Sequence, residues 1–117
     1  MDELQQFKQK LRRFADDRDW NQFHSPKNLA MALSVEAGEL LEHFQWLTEA
    51  ESASITGDKR VAVADEIADV QIYLIRLADK LGIDILDAVK NKYEKNEKKY
   101  PLEKARGNRK KYNEYTE

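Results

Sequence analysis

The sequence predicts an all-α chain, a four-helix bundle-like fold in a single domain over residues 1–117. Three observations carry this. Apolar residues recur at threes, fours and sevens over long stretches, the period of a helix that buries one face. Nowhere do apolar and polar residues alternate for the length of a strand, and no hairpin dipeptide separates two apolar runs. The breaks between the periodic stretches are short, as in helices joined by tight connections.

Leu4, Phe7, Leu11 and Phe14 predict a first amphipathic helix over roughly residues 2–16, and Asp16, Asp17, Arg18 and Asp19 break it. A polar connection studded with aromatics follows, Trp20 to Asn28. Ser25 with Pro26 marks a helix start, a hydroxyl to cap and a proline at the first helical position. The second helix is expected from there to about Leu47, ~33 Å long at ~1.5 Å per residue. Its buried series is Leu29, Ala32, Leu33, Leu40 and Leu47, with Glu36 inside it. Residues 48–58, with Thr48, Ser52, Ser54, Thr56 and Gly57, read as a loop with room for one helical turn. Asp58 is the expected cap of a third helix running to about Leu81, with Gly82 as its stop. Val63, Ile67, Val70, Leu74, Leu77 and Leu81 form its apolar stripe, with Glu66 and Tyr73 on the edge. Asp84 with Asp87 resembles a capping box, with Asp in place of Glu. The fourth helix carries Ile85, Leu86, Val89, Tyr93 and Tyr100 on one side, with Asn96 where an apolar residue is expected, and Pro101 ends it. The helical core thus covers about 2–101, followed by a basic tail over 102–117. From Lys98 onward seven basic residues face three acidic ones, which suits either a solvated tail or one that meets phosphate.

Two acidic pairs organise the chemistry, Glu36-x-x-Glu39 and Glu66-x-x-Asp69. Residues three apart on a helix project from nearly the same side. Both pairs therefore lie on or beside a face that should be buried. A buried carboxylate either takes up a proton or finds a cation. Four acids from two packed helices would repel one another, and a hard divalent cation with oxygen ligands, Mg²⁺ or Mn²⁺, resolves the conflict. The plainer alternative is four solvated boundary acids.

Composition removes other chemistries. There is no cysteine, hence no disulfide, thiolate metal site or thiol nucleophile. The four glycines are isolated, so no Gly-rich phosphate loop exists. His24 and His43 lack a Glu-x-x-His partner, which argues against a di-iron carboxylate bundle. A net charge of −2 gives no general pull toward nucleic acid or membrane. No apolar run approaches the ~20 residues that span a bilayer. Met1-Asp2-Glu3 lacks the features of a signal peptide, so a cytoplasmic location is expected. Met31 and His43 carry no signal separable from packing.

Glu36-Ala-Gly-Glu39 and Glu66-Ile-Ala-Asp69-Val-Gln-Ile-Tyr73 resemble the motifs of the MazG-like nucleotide pyrophosphohydrolases, in the all-α NTP pyrophosphatase superfamily. Arg18-Asp19-Trp20-x-x-Phe23-His24-x-Pro26-x-Asn28-Leu29, Phe44-Gln45-Trp46 and Lys92-x-x-x-Asn96-x-x-x-Tyr100-Pro101 extend the likeness to the dCTP pyrophosphatase branch, over about residues 14–101. In vertebrate members a histidine lies nine residues before the first tryptophan, where this chain has Leu11. That departure puts base discrimination in doubt.

The resemblance implies an enzyme that cleaves a nucleoside triphosphate, dCTP or a related pyrimidine, between the α and β phosphorus to give a monophosphate and pyrophosphate. Glu36, Glu39, Glu66 and Asp69 would hold Mg²⁺, with Mn²⁺ as a substitute, and Glu39 is the candidate base. Trp20 and Trp46 would flank the nucleobase, and His24 would hydrogen-bond the base or sugar. Tyr73 would reach the sugar or a phosphate, and Lys92 and Asn96 suit phosphate oxygens. Taken singly, each of these also fits ordinary packing or a solvated surface. The implied role is control of the nucleotide pool, and the implied assembly is a homo-oligomer, a dimer or tetramer with sites built from more than one chain. The related phosphoribosyl-ATP pyrophosphatase activity fits less well, given Trp20 and Phe23-His24. Two other classes stay open: a non-catalytic nucleotide- or nucleic-acid-binding helical module using the basic tail, and a structural helical oligomer.

Overall fold

A computed structural model describes residues 2–114; Met1 and the last three residues of the basic tail, 115–117, lie outside the described residues. The described chain is helical throughout, with no strand among these residues. It divides into two compact units, one ending at Ile83 and one beginning at Asp84.

The first unit holds α1 (Glu3–Asp17), α2 (Pro26–Glu42), the short α3 (Glu49–Ser52) and α4 (Gly57–Leu81). The α2–α4 pair is its principal packing, and α1 lies against α4. α2 starts as expected, with Pro26 in the first turn and the Ser25 hydroxyl accepting the Asn28 N–H at 3.2 Å. It ends five residues short of the expected Leu47. The Thr48 hydroxyl accepts from the Glu51 N–H at 3.1 Å, and the Glu51 carboxylate accepts from the Thr48 N–H at 3.0 Å. This capping box starts α3 and requires an extended Thr48. The chain therefore leaves the helix through tight turns at His43–Leu47, a stretch whose His, Phe and Trp are only moderate helix formers.

α4 begins two residues early. Thr56 occupies the cap without a side-chain hydrogen bond, and Asp58 sits in the first turn instead of capping. There its charge faces the positive end of the helix dipole. Gly82 closes α4 in the left-handed conformation, φ 68°.

Among the described residues the buried apolar ones are Ala15, Leu29, Val63 and Ile75. On α2 the inner series is the expected one, Leu29, Ala32, Leu33, Glu36 and Leu40. On α4 the register differs. Val63, Glu66, Val70, Tyr73 and Leu77 turn inward, while Ile67, Leu74 and Leu81 are 55, 40 and 53% exposed. Glu66 and Tyr73, expected at the edge, belong to the inner stripe. α4 carries two apolar stripes one residue apart, and only one of them faces α2 and the interior. On α1, Leu4 and Leu11 are partly buried, but Phe7 and Phe14 keep about half their surface exposed.

The second unit holds α5 (Ile85–Lys99), α6 (Leu102–Ala105) and a 3-10 turn at Tyr112–Glu114. Asp84 caps α5 by accepting the Asp87 N–H at 3.0 Å. The helix ends before Tyr100-Pro101, because proline cannot continue it and biases its neighbour away from helix. Tyr100 meets Tyr112 edge-on at 6.4 Å, and the Lys99 ammonium lies 4.9 Å from the Tyr112 ring centre. No helix among the described residues is long and apolar enough to cross a membrane.

Candidate active site

The α2–α4 packing brings the two acidic pairs together. Glu36, Glu39 and Glu66 each offer a carboxylate oxygen, and these atoms lie within 4.8 Å of one another. One oxygen of Glu36 and one of Glu66 are buried without a hydrogen-bond partner. The two ion pairs among the described residues run to Asp79 and leave this cluster alone. Burial first, then the neighbouring carboxyls of Glu66 and Glu39 and the charges of Glu39 and Asp69, push the Glu36 pKa up to about 7. Glu66 is also raised. Burial leads there, a proton held on Glu36 works against it, and the charges of Glu39 and Asp69 add to it. Converging carboxylate oxygens in a partly buried setting are a donor set that a divalent cation would complete.

Asp69, the fourth acid, whose charge acts on Glu36, lines a cavity of about 340 Å³ between α4, α1 and the α1–α2 loop. Trp20, His24 and Tyr73 line it too, with Leu11, Phe14, Ala15, Ile72 and Arg76. The α1–α2 loop is pinned to make this wall. The Trp20 N–H donates to the Ala15 carbonyl at 2.9 Å, Phe23 N–H to the Trp20 carbonyl at 2.8 Å, and the Asn28 side chain to the Phe23 carbonyl at 3.0 Å. Asp19 takes a left-handed φ of 53° to allow the reversal. Trp20 packs edge-on against Phe14 at 5.5 Å and lies 5.9 Å from the His24 ring. Burial, followed by the charges of Arg76 and Lys80, holds the His24 pKa below its usual value. A half-exposed indole beside the apolar side chains of Leu11, Phe14, Ala15 and Ile72 is a stacking surface for a planar ring.

The expected residues thus fall into three groups. Glu36, Glu39 and Glu66 converge as one cluster, and Asp69, Trp20, His24 and Tyr73 line the adjoining cavity. Trp46 is 86% exposed, beyond the end of α2, and does not line this cavity. Lys92 and Asn96 stand one turn apart on α5, in the second unit, both exposed.

Arg76 is the residue that sequence reasoning missed. It is only 4% exposed. Its guanidinium donates to Asn21 Oδ1 at 3.2 Å and reaches His24 Nδ1 at 3.3 Å and an Asp79 oxygen at 3.7 Å. Asp79 is held in turn by Arg12, at 2.5 and 3.1 Å. The Arg12 hydrogen bond is the main reason that the Asp79 pKa is lowered. The available signal was a charge set between Ile75 and Leu77 in the most apolar part of α4.

A sequence model of the MazG-like family matches residues 31–115. Human (Homo sapiens) dCTP pyrophosphatase 1 is 44% identical over 103 residues, covering 86% of this chain and 61% of that protein. The mouse (Mus musculus) dCTP pyrophosphatase 1 is 43% identical and is covered to 59%. The chain therefore spans about three fifths of the length of these curated relatives. A solved pyrophosphatase from Archaeoglobus fulgidus superposes with a TM-score of 0.81 at 44% identity, covering 86% of this chain and 94% of that one.

Proposed function

The chain belongs to the MazG-like family, and from that membership we propose that it hydrolyses a deoxynucleoside triphosphate between the α and β phosphorus, with dCTP or a related pyrimidine as substrate. The observation that carries the reading is a juxtaposition: three carboxylate oxygens within 4.8 Å, next to a cavity lined by Trp20, His24 and Tyr73. Its volume of about 340 Å³ is at the small end of ligand sites, a size for a nucleoside and not for a macromolecule.

Glu36, Glu39 and Glu66, joined by Asp69 from the cavity side, are the residues that would hold Mg²⁺, or Mn²⁺ in its place. When bound, such a cation supplies charge neutralisation for the triphosphate and a lowered pKa for an attacking water. Trp20 stacks on the base, with Phe14 supporting its edge. His24 hydrogen-bonds the base and Tyr73 the sugar or a phosphate. Glu39 takes the proton of the attacking water. Lys92 and Asn96 bind phosphate oxygens, where a cationic and an amide donor one turn apart suit an anion. Trp46 completes the base sandwich from a neighbouring protomer of a homo-oligomer, consistent with its exposure in its own chain. The role that such a reaction would serve is control of the nucleotide pool, with the cytoplasm as the expected location.

The test is product analysis after incubation with each NTP and dNTP, with Mg²⁺ or with EDTA. Monophosphate plus pyrophosphate, formed only with metal and fastest for dCTP, is the expected result. Release of single phosphates would overturn the cleavage position, and no turnover with any nucleotide would overturn the reading.

A further inference from the structure

Arg76 and His24 meet 52 positions apart in sequence, and their contact has a chemical direction. A guanidinium has only donors. At 3.3 Å from His24 Nδ1, it requires that nitrogen to be the bare acceptor, so the ring proton sits on Nε2. We propose that Arg76 is a positioning residue that locks His24 in the Nε2–H tautomer, so that the cavity wall presents a hydrogen-bond donor to an acceptor on the base and thereby favours cytosine over uracil.

Four observations support this. Arg76 is 4% exposed and cannot swing into solvent. Its guanidinium also donates to Asn21 and lies 3.7 Å from an Asp79 oxygen, and Asn21 accepts from Lys80 at 3.1 Å, so the loop carrying His24 is fixed to α4. Both residues line the same cavity. Leu11 and Phe14 make the α1 side of that cavity apolar, which leaves recognition of the base edge to the His24 side. The depressed basicity of His24 agrees, since a neutral ring has one donor and one acceptor.

The consequence for the base follows from elementary hydrogen-bond matching. Cytosine presents adjacent acceptors, its bare N3 and its 2-carbonyl, whereas uracil and thymine carry a proton on N3. Opposite N3, a fixed donor on the wall is satisfied by cytosine and faces another donor on uracil; the 2-carbonyl, common to both, does not discriminate. A buried polar group left unpaired is the strong route to discrimination between bases of the same size. The identity of the acceptor rests on the nucleotide reading above; the tautomer does not.

The two parts are tested separately. The chain has two histidines, so a two-bond ¹H–¹⁵N correlation spectrum of ¹⁵N-labelled protein at neutral pH resolves both rings. His24 is expected as the Nε2–H tautomer; an Nδ1–H or rapidly averaging ring would overturn the proposal. Titration with dCMP should move the His24 Nε2 signal, and dUMP should bind about tenfold more weakly. Equal binding of the two would overturn the selectivity. Arg76→Met should leave the ring averaging between tautomers and erase the preference, and Arg76→Lys, which keeps a donor, should restore part of both. A folded Arg76→Met protein that kept both would overturn the role of Arg76. None of these readouts needs turnover, so a chain that bound dCMP as expected yet hydrolysed nothing would sink the pyrophosphohydrolase reading alone.

Discussion

Glu36 and Glu66 each leave a carboxylate oxygen buried without a donor, an arrangement that works against folding unless a proton or a cation arrives. For Glu36 the proton's window can be named. Its pKa rises from 4.5 to about 7 in the folded chain, so between these values the folded state holds a proton that the unfolded state has lost. Unfolding then releases no stabilising charge pair; it relieves a repulsion. Stability of metal-free protein should therefore fall as pH rises from about 4.5 to about 7 and level off above. Thermal melts in EDTA across this range check it, and Glu36→Gln should flatten the slope and raise the melting temperature at pH 8. A slope identical in the two proteins would show that Glu36 is not the titrating group. The same proton competes with metal, so Mn²⁺ should bind more tightly as pH rises toward about 7. Glu36→Gln should abolish both Mn²⁺ binding and the metal-dependent gain in melting temperature, and reduce any pyrophosphohydrolase turnover by at least about a hundredfold.

At the scale of the element, α4 shows what was legible in the sequence and what was not. Its C-terminal end was readable because it obeys a local rule, whereas the expected Asp58 cap gave way to Thr56. Gly82 supplies the left-handed residue that the C-terminus needs, with φ 68°, so Gly82→Ala should cost about 1 kcal/mol and lower the melting temperature by about 4 °C. An unchanged melt would mean that the helix closes some other way. The acidic pairs were legible too, because a three-residue spacing puts both members on one side of any helix. The register was not. Glu66 and Ile67, or Tyr73 and Leu74, lie one step apart, and apolar periodicity prefers the hydrocarbon. The packing instead takes Val63, Glu66, Val70, Tyr73 and Leu77 inward, since that face brings the acids of α4 to those of α2. Arg76 was invisible for a different reason. Its partners Asn21 and His24 lie on a loop more than fifty residues away, and no local period encodes a meeting between a helix and a distant loop. The second salt-linked tie, Arg12 to Asp79, joins α1 to α4 by the same kind of encounter.

At the scale of the whole molecule, α4 keeps a second apolar stripe exposed. Ile67, Leu74 and Leu81 recur every seven residues and stay 40–55% exposed. One exposed apolar side chain is ordinary, but a helical row of them is a surface that a second copy can cover. Such a contact in a two-fold dimer is self-complementary, so each substituted residue is lost on both sides. Burying a leucine contributes about 1.5–3 kcal/mol, so Leu74→Lys should weaken dimerisation by at least about a hundredfold. Sedimentation velocity over a range of concentrations measures this, with far-ultraviolet circular dichroism confirming that the helices persist. The functional consequence separates assembly from chemistry. Trp46 is 86% exposed in its own chain, and under the proposed function it stacks on a base held by another protomer. A folded monomeric Leu74→Lys protein should therefore keep Mn²⁺ binding at Glu36, Glu39 and Glu66, which all come from one chain, while losing affinity for dCMP. If dCMP binding survived in the monomer at full strength, Trp46 would have no part in the base site and Trp20 would be its only indole.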